Sequence, residues 1–346
     1  MSTTPSKSNL VSAASKIEKL KLYRDVRDKG TRWLLKQINT DGSIGDVREG
    51  FYFYRAPWTF AATGETDAAA AICGWVRKNM LNSRGAIDGA YRPSGYAYAY
   101  ANSAFIVGAH LATQYDLSFG LMANLLSYQD SRSGGFANDR NEDGSQSDDM
   151  DIPFACGPGF ACIATGYLAE ARKVYKFLEN IYGAQKELPA RFFYTLSRET
   201  QAPIQRFPED KRIGYVVENQ DPRRQRWTIG GIAAGFLCRL YLVEPKPEYL
   251  ELARLYQAFS MAATERQFDW SHACKSSWGS SLLYQITGED QYLQWTLKMG
   301  DWYVERQNVD GYWHWDYYTT LGAHVELALE FVMHIDILMG GLASRP

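Results

Sequence analysis

Rings, imidazoles and carboxylates crowd a few places in this sequence. The densest is RQNVDGYWHWD (306–316), where Tyr312, Trp313, His314 and Trp315 follow the flexible pair Asp310 and Gly311. Small polar residues ordinarily fill such loops, so these rings either wedge the structure or line a pocket. Further rings stand at Tyr52, Tyr54, Trp58, Tyr96, Tyr98, Tyr100, Trp227, Trp270, Trp278, Trp315, Tyr317 and Tyr318. Large rings normally serve cores. A dense wall of them also encloses an apolar cavity, stabilises developing positive charge through ring faces and folds a flexible substrate into a reactive shape. Within the quoted stretch, Gln307, Gly311 and Trp313 read as structural, and Trp315 and Tyr317 as pocket residues.

Other groups offer different chemistry. His272, Cys274 and His324 supply three metal-type donors without a CxxC pair. A metal-free reading, in which His272 or His324 donates a hydrogen bond or acts as acid or base, is preferred over zinc. His110 and His334 fall toward the far ends of their helices and read as structural. The acidic run NDRNEDGSQSDDMDIPF (138–154) carries Asp139, Asp143, Asp148, Asp149 and Asp151, and its spacing fits a solvated lid better than a calcium loop. Asp151, next to Pro153, is its member of most interest. Paired carboxylates for glycosidic chemistry would come from Asp46, Asp88, Asp151, Asp269 and Asp316. Arg223, Arg224 and Arg226 form a basic edge suited to a carboxylate or diphosphate. No Ser-His-Asp elbow, P-loop or dinucleotide fingerprint occurs, which argues against hydride transfer and nucleotide hydrolysis.

Positioning these residues requires a frame, and the chain repeats one. KGTRWLLKQINTDGSIGD (29–46), LMANLLSYQDSRSGGFAND (121–139) and KMGDWYVERQNVDGYWHWD (298–316) each run an amphipathic helix into a glutamine, polar residues and glycine. Weaker copies lie between them. Gln37, Gln129 and Gln307 are spaced by close to two and four units of roughly 45 residues, a helical-hairpin period. Short breaks such as ATGETD (62–67) and ITGEDQYL (286–293) alternate with these stops. The two sets predict twelve helices at 15–37, 54–63, 66–81, 97–113, 117–129, 156–166, 168–183, 228–243, 247–264, 271–287, 290–307 and 321–338. Charged members form an outer ring and Ala/Gly/Ser-rich members an inner one. Six hairpins close as an all-α (α/α)6 barrel, a single domain over 15–346 after a disordered stretch at 1–14. An open solenoid is the alternative. The long connections 38–53, 82–96, 130–155 and 184–227 all fall on one face, and loops of that length are usually functional.

Bulk composition narrows the partners. Thirty-seven basic against 39 acidic residues give a net charge of −2, too weak a field for nucleic acid or an anionic membrane. Five widely spaced cysteines suit reduced, buried thiols. The N-terminus lacks an apolar h-region and no run reaches membrane-spanning length, so a cytoplasmic protein without stable membrane insertion is expected.

Lys298, Gly300, Trp302, Gln307, Gly311 and Trp313 resemble the QW repeat of terpenoid cyclases. Lys29, Gly30, Trp33, Gln37 and Gly42 form a second copy, with Ile44 in place of the final aromatic. That resemblance implies the (α/α)6 toroid shared by terpenoid cyclases and protein prenyltransferase β-subunits, with the glutamine capping a helix end against a neighbouring repeat. The departures are informative. The DxDD acid of class II cyclases is missing, SDDMD (147–151) having the wrong spacing, and the zinc set of prenyltransferases is matched only loosely by His272, Cys274 and His324 with Asp269 misplaced. As a standalone toroid the chain also looks like the fungal hetero-Diels–Alderases of tropolone sesquiterpenoid pathways, a likeness of architecture carried by no residue motif. Six-hairpin carbohydrate enzymes use the same barrel.

The expectation is therefore a cofactor-free cyclase of a small apolar terpenoid or meroterpenoid, driven by shape, pericyclic or acid-assisted. His272, Tyr98, Asn102, Lys275 and Asp151 are the candidate polarising or acid–base groups. Tyr54, Trp58, Trp227, Trp278, Trp315, Tyr317 and His324 are the candidate substrate-binding residues. The alternative is a six-hairpin carbohydrate lyase or glycoside hydrolase using paired carboxylates.

Overall fold

Helix stops and starts fall where local chemistry dictates. In the computed structural model, which describes residues 13–46, 54–82, 86–87, 98–141, 143–317 and 319–345, Asp151 opens one helix by accepting the Phe154 N–H at 2.8 Å, with Pro153 in its first turn. Gly166 closes that helix in the left-handed region at φ 85°, a conformation that glycine adopts without steric cost. Tyr52, Asp88, Tyr96 and Tyr318 lie outside the described residues, as do residues 1–12 of the N-terminal stretch expected to be disordered.

Twelve α-helices are described: α1 (Ala13–Leu35), α2 (Ala56–Ala62), α3 (Thr66–Asn79), α4 (Tyr98–Leu111), α5 (Tyr115–Leu126), α6 (Ile152–Thr165), α7 (Leu168–Gly183), α8 (Ile229–Val243), α9 (Pro247–Met261), α10 (Ser276–Thr287), α11 (Asp290–Arg306) and α12 (Leu321–Ala343). The even members are buried around most of their circumference. In α8 every residue from Ile229 to Cys238 is buried, which places the helix inside the fold. The odd members bury one stripe; in α7 it is Ala171, Val174, Tyr175, Phe177, Leu178 and Ile181, at three- and four-residue spacing.

Contacts run α2 to α4, α6, α8, α10, α12 and back to α2, a closed inner ring. The odd helices flank it, and α1 pairs with α12, so the first and last helices form the sixth hairpin. An open solenoid would lack the α12–α2 and α1–α12 contacts. Small residues allow the inner ring to close. A Cβ on Gly108 of α4 would stand 2.3 Å from the Trp58 backbone nitrogen of α2, so α4 and α2 approach this closely only with hydrogen at that position.

The boundaries depart from the sequence reading in several places, α12 for instance running to Ala343 rather than 338. Helix α6 begins at Ile152 rather than 156, because Asp151 supplies the cap that the acidic run seemed to carry for solvent. The segment 271–275 is a 3-10 turn leading into α10. The long connections also hold two small antiparallel sheets, β1 (Asp149–Asp151) with β3 (Thr195–Ser197) and β2 (Arg191–Phe193) with β4 (Val216–Glu218).

The repeat has a physical form. After four outer helices the chain turns back on itself through one isolated β-bridge: Ile38 with Ile44, Leu81 with Ile87, Gln129 with Phe136 and Gln307 with Trp313. Gln307 Nε2 donates to the Gly311 carbonyl at 2.9 Å and to the Val26 carbonyl of α1 at 2.8 Å. Gln129 Nε2 likewise donates to Gly134 and across to Glu170 of α7, each at 3.0 Å. The glutamine therefore closes its own loop and ties it to the next outer helix. Trp313 is fully buried and donates to the Tyr303 carbonyl at 2.9 Å. Among the described residues no helix is long and apolar enough to cross a membrane. All five cysteines are buried and unbridged.

Candidate active site

Every inner helix sends a side chain to the barrel axis. Trp58 of α2, Tyr100, Ser103 and Ala104 of α4, and Phe160 of α6 meet Ile232 of α8, Trp278 of α10, and Met333 and His334 of α12 around a small axial cavity. Its volume is about 20 Å³, the space of roughly one water molecule, so this is a packed floor. Trp278 lies flat on Phe160, with centroids 4.2 Å apart and planes at 7°. Trp58 meets Trp278 edge-on at 5.7 Å and Phe160 at 6.3 Å. Such offset and edge contacts are the favoured geometries of aromatic quadrupoles.

Above that floor, where the inner helices begin, stands a charged layer. Arg55, the residue before α2, reaches two carboxylates of α12, Glu326 at 2.9 Å and Glu330 at 3.2 Å. Its Nη2 also donates to Tyr100 Oη at 3.2 Å, and Tyr54 Oη donates to Glu326 at 3.1 Å. Lys275, just before α10, holds Glu330 at 2.5 Å. Glu330 is thus bracketed by two cations, which hold its carboxyl far below the usual range against the opposing effect of burial. Among the described residues Glu326 has Arg55 as its one ion-pair partner. Burial, with the neighbouring Glu330 charge, outweighs Arg55 and pushes its carboxyl up to about 7. His334, one turn beyond Glu330 and 3.9 Å from it, is held neutral by burial, its pKa lowered to about 3.

The charged layer is open to solvent at Arg226 and Glu326, whose side chains are 39 % and 17 % accessible; this opening is the pit of the site. Asp151 lies 3.7 Å from Arg226, and its burial raises its carboxyl to about 6 despite that cation. His272 is kept neutral by burial and by the positive field of Lys275, Arg224 and Arg226. At the rim Arg224 lies over Trp270 at 5.4 Å and Tyr317 at 5.0 Å.

The residues singled out in the sequence divide accordingly. Trp58 and Trp278 form the floor, and Tyr54, Lys275, His272 and Asp151 belong to the layer around the pit. Tyr317 stays at the rim, its hydroxyl donating to Ser271 Oγ at 2.8 Å. Other residues are placed elsewhere. Tyr98 is buried between α4 and α5, stacked on Tyr128 at 5.2 Å and accepting from Asn124 at 2.8 Å. Asn102 is buried and donates to the Tyr98 carbonyl of its own helix at 3.0 Å. Trp227 is 1 % exposed, and its carbonyl accepts from Ser260 of α9 at 2.6 Å. Trp315 packs on Trp302 and Phe331 and donates to the Asp269 carbonyl at 2.9 Å, anchoring the chain ahead of α10. Asp269 and Asp316 are exposed, with 59 % and 107 % of their side-chain surface accessible.

The weighed metal set does not assemble. His324 pairs with His314 at 3.1 Å and packs on Tyr312. Cys274 instead has Glu330 and His334 as its donor-bearing neighbours, their ligand-type atoms all within 4.8 Å of one another. Lys275 Nζ stands beside that trio, 2.5 Å from Glu330 and 4.0 Å from Cys274 Sγ. With the Arg55 guanidinium adjacent, a divalent cation there would have to displace one bound cation and face another.

Arg55, Glu326, Glu330 and the axial placement of His334 were not picked out from the sequence. The signal was present: AHVELALEFVMHID (323–336) puts Glu326, Glu330 and His334 at four-residue intervals on an otherwise apolar inner helix, one stripe facing the axis.

No family model matches the sequence, and no curated protein matches it. Solved structures do. A D-mannose isomerase superposes with a TM-score of 0.67 at 14 % identity, covering 97 % of this chain and 100 % of that one. A family 76 glycoside hydrolase (mannosidase) from Bacteroides thetaiotaomicron gives 0.60 at 12 % identity, covering 91 % and 98 %. A type II terpene cyclase from Scytonema gives 0.57 at 13 % identity, covering 94 % and 99 %. The chain is an (α/α)6 toroid. At these identities the likeness is one of fold, and the reaction must be argued from the pit.

Proposed function

We propose that the protein is an enzyme that cyclises an amphiphilic terpenoid or meroterpenoid, seating its apolar body on the aromatic floor and its oxygen-bearing reactive end in the charged layer. The observation that carries this reading is the division of the site: Trp58, Phe160 and Trp278 below, Arg55, Lys275 and Arg226 above. Ring faces favour a polyene with developing positive charge. Fixed cationic donors draw electron density from a carbonyl or enone, which lowers the barrier to pericyclic or acid-assisted closure. The product is an isomer of the substrate, so the chemistry calls for no electron or group donor.

The carboxylates argue against glycoside hydrolysis. Such enzymes place two carboxyl groups roughly 5–9.5 Å apart across the scissile bond. Glu326 and Glu330 instead stand on the same side, one turn apart on α12 and on one guanidinium, Asp151 caps α6, and Asp269 and Asp316 point to solvent.

The test is product analysis. Purified protein is incubated with polyenes carrying an enone or a quinone methide generated in place, and in parallel with D-mannose, D-fructose and α-1,6-mannotriose. Enantioenriched isomeric cyclic products, lost in Trp58→Ala and Trp278→Ala, are expected. Interconversion of the hexoses or cleavage of the mannotriose would overturn the reading.

A further inference from the structure

Two carboxylates on one helix share a single guanidinium, and their surroundings differ. Glu330 has Lys275 in addition to Arg55 and lies beside His334, one turn deeper. Among the described residues Glu326 pairs with Arg55 and the Tyr54 hydroxyl, and its side chain is the more accessible of the two. We propose that Glu326 is the proton carrier of the site, giving a proton to an oxygen of the substrate's reactive end and recovering one when ring closure ends. This rests on the cyclase reading and names the acid that reading needs.

Placement supports the assignment independently of any titration. Two like charges on one guanidinium disfavour double ionisation, and the proton goes to the member with fewer cations. Among the described residues the cations divide unequally, Lys275 acting on both carboxylates but pairing with Glu330. Lys275 approaches from the start of α10 on the Glu330 side, Arg55 lies between the two, and Tyr100 of α4 engages Arg55 rather than Glu326. Neutral His272 and His334 supply no competing cation. The carboxyl of Glu326, raised to about 7, therefore carries a proton over part of the neutral range.

The step balances. The Oε–H bond of Glu326 breaks as an O–H bond forms on the substrate carbonyl, whose π pair becomes a lone pair. The alkene attacks the electron-poor carbon. The proton lost from the carbon beside the final cationic centre returns to the Glu326 carboxylate, which Arg55 and Tyr54 hold meanwhile.

The experiment counts protons. Naphthalene-2-carboxylate and naphthalene-2-carboxamide are titrated into the full chain by calorimetry at about pH 7.5 in phosphate and in Tris. The anion should draw up to roughly 0.75 proton on binding, the fraction by which a carboxyl of pKa about 7 is ionised there, and the amide should draw none. Glu326→Gln should abolish the uptake and bind the carboxylate about fourfold tighter, because no protonation need precede binding. Asp151→Asn should keep the uptake. Uptake that survives Glu326→Gln, or that disappears only in Asp151→Asn, overturns the assignment. If neither probe binds, the amphiphile reading of the pit fails by itself. Glu326 is then judged by the protonated-carboxyl stretch in infrared difference spectra of wild type against Glu326→Gln. A band titrating near neutrality supports the proposal, and one already absent above about pH 5.5 overturns it.

Discussion

Replacing Glu330 by glutamine should be far more damaging than the same change at Glu326, although the two carboxylates sit one turn apart. Glu330 is about 7 % accessible and neutralises Lys275 at 2.5 Å and Arg55 at 3.2 Å. Removing its charge leaves two buried cations with one weakly ionised partner, and an orphaned buried charge of this kind costs about 3–5 kcal/mol. Glu326 already carries a proton part of the time at neutral pH, so Glu326→Gln removes less, about 1 kcal/mol or below, the scale of an ordinary hydrogen bond. Urea unfolding followed by tryptophan fluorescence should show the Glu330→Gln midpoint lowered by about 1 M or more, given slopes of a few kcal/mol per molar, and Glu326→Gln barely moved. Lys275→Met added to Glu330→Gln should recover part of the loss, since a buried ion pair replaced on both sides by packed neutral groups is often tolerated. The pH dependence has a definite sign. The folded-state pKa of Glu330 lies far below its unfolded value near 4.5, so its stabilisation is complete above that value and is lost only as pH falls through the lower one. Glu330's own contribution to the gap between wild type and Glu330→Gln should therefore be the same at pH 7 and pH 5.5; any change in the gap over that range comes from Glu326, whose raised carboxyl loses the repelling Glu330 charge in the variant. Equal midpoints for the two glutamine variants would refute the division of roles between the carboxylates.

Other perturbations test other parts of the molecule. Trp278→Ala removes a 5 % exposed ring stacked on Phe160 at 4.2 Å and should cost about 3–5 kcal/mol, read as a lower midpoint in the same titration. Gly300→Ala would bring a methyl to 2.2 Å from Tyr23 Cζ where α11 meets α1, an overpacking worth roughly 1–3 kcal/mol that Tyr23→Leu in the same chain should relieve. For Asp151, whose folded pKa of about 6 exceeds the ordinary carboxylate value of 3.8, stability should decline as pH rises from about 4 through 6. Asp151→Asn should flatten that part of the profile, measured by thermal unfolding at each pH.

The frame was legible because glycine, glutamine and acidic helix starts punctuate the chain, and punctuation survives without knowledge of tertiary contacts. Gln129 and Gln307 lie in equivalent turns, and Gln37 stands one residue ahead of its own bridge, its side chain donating to Trp33 of its own helix. The face of each inner helix was harder to read. Helices buried all round offer no amphipathic register, and moving two residues along a helix rotates a side chain by roughly 200°. That rotation separates Tyr98, packed against Tyr128, from Tyr100, which reaches Arg55. Trp58 and Trp278 lie near the starts of their helices, where position along the axis alone brought them to the floor. Glu326 and Glu330 were passed over because attention went to acids in loops, although a carboxylate in an apolar inner helix costs more to place there and so carries more information.

The pairing of α1 with α12 bears on the order in which the molecule is made. Arg55 and Lys275 emerge from the ribosome before the helix that carries Glu330, so the two cations of the future core must wait, solvated, for their counter-ion. Closure then joins segments nearly the full chain length apart, the least local contact this topology contains and an entropically slow one. Ring closure and charge neutralisation in the core become one event, and a chain stalled before residue 321 has no means of burying either cation.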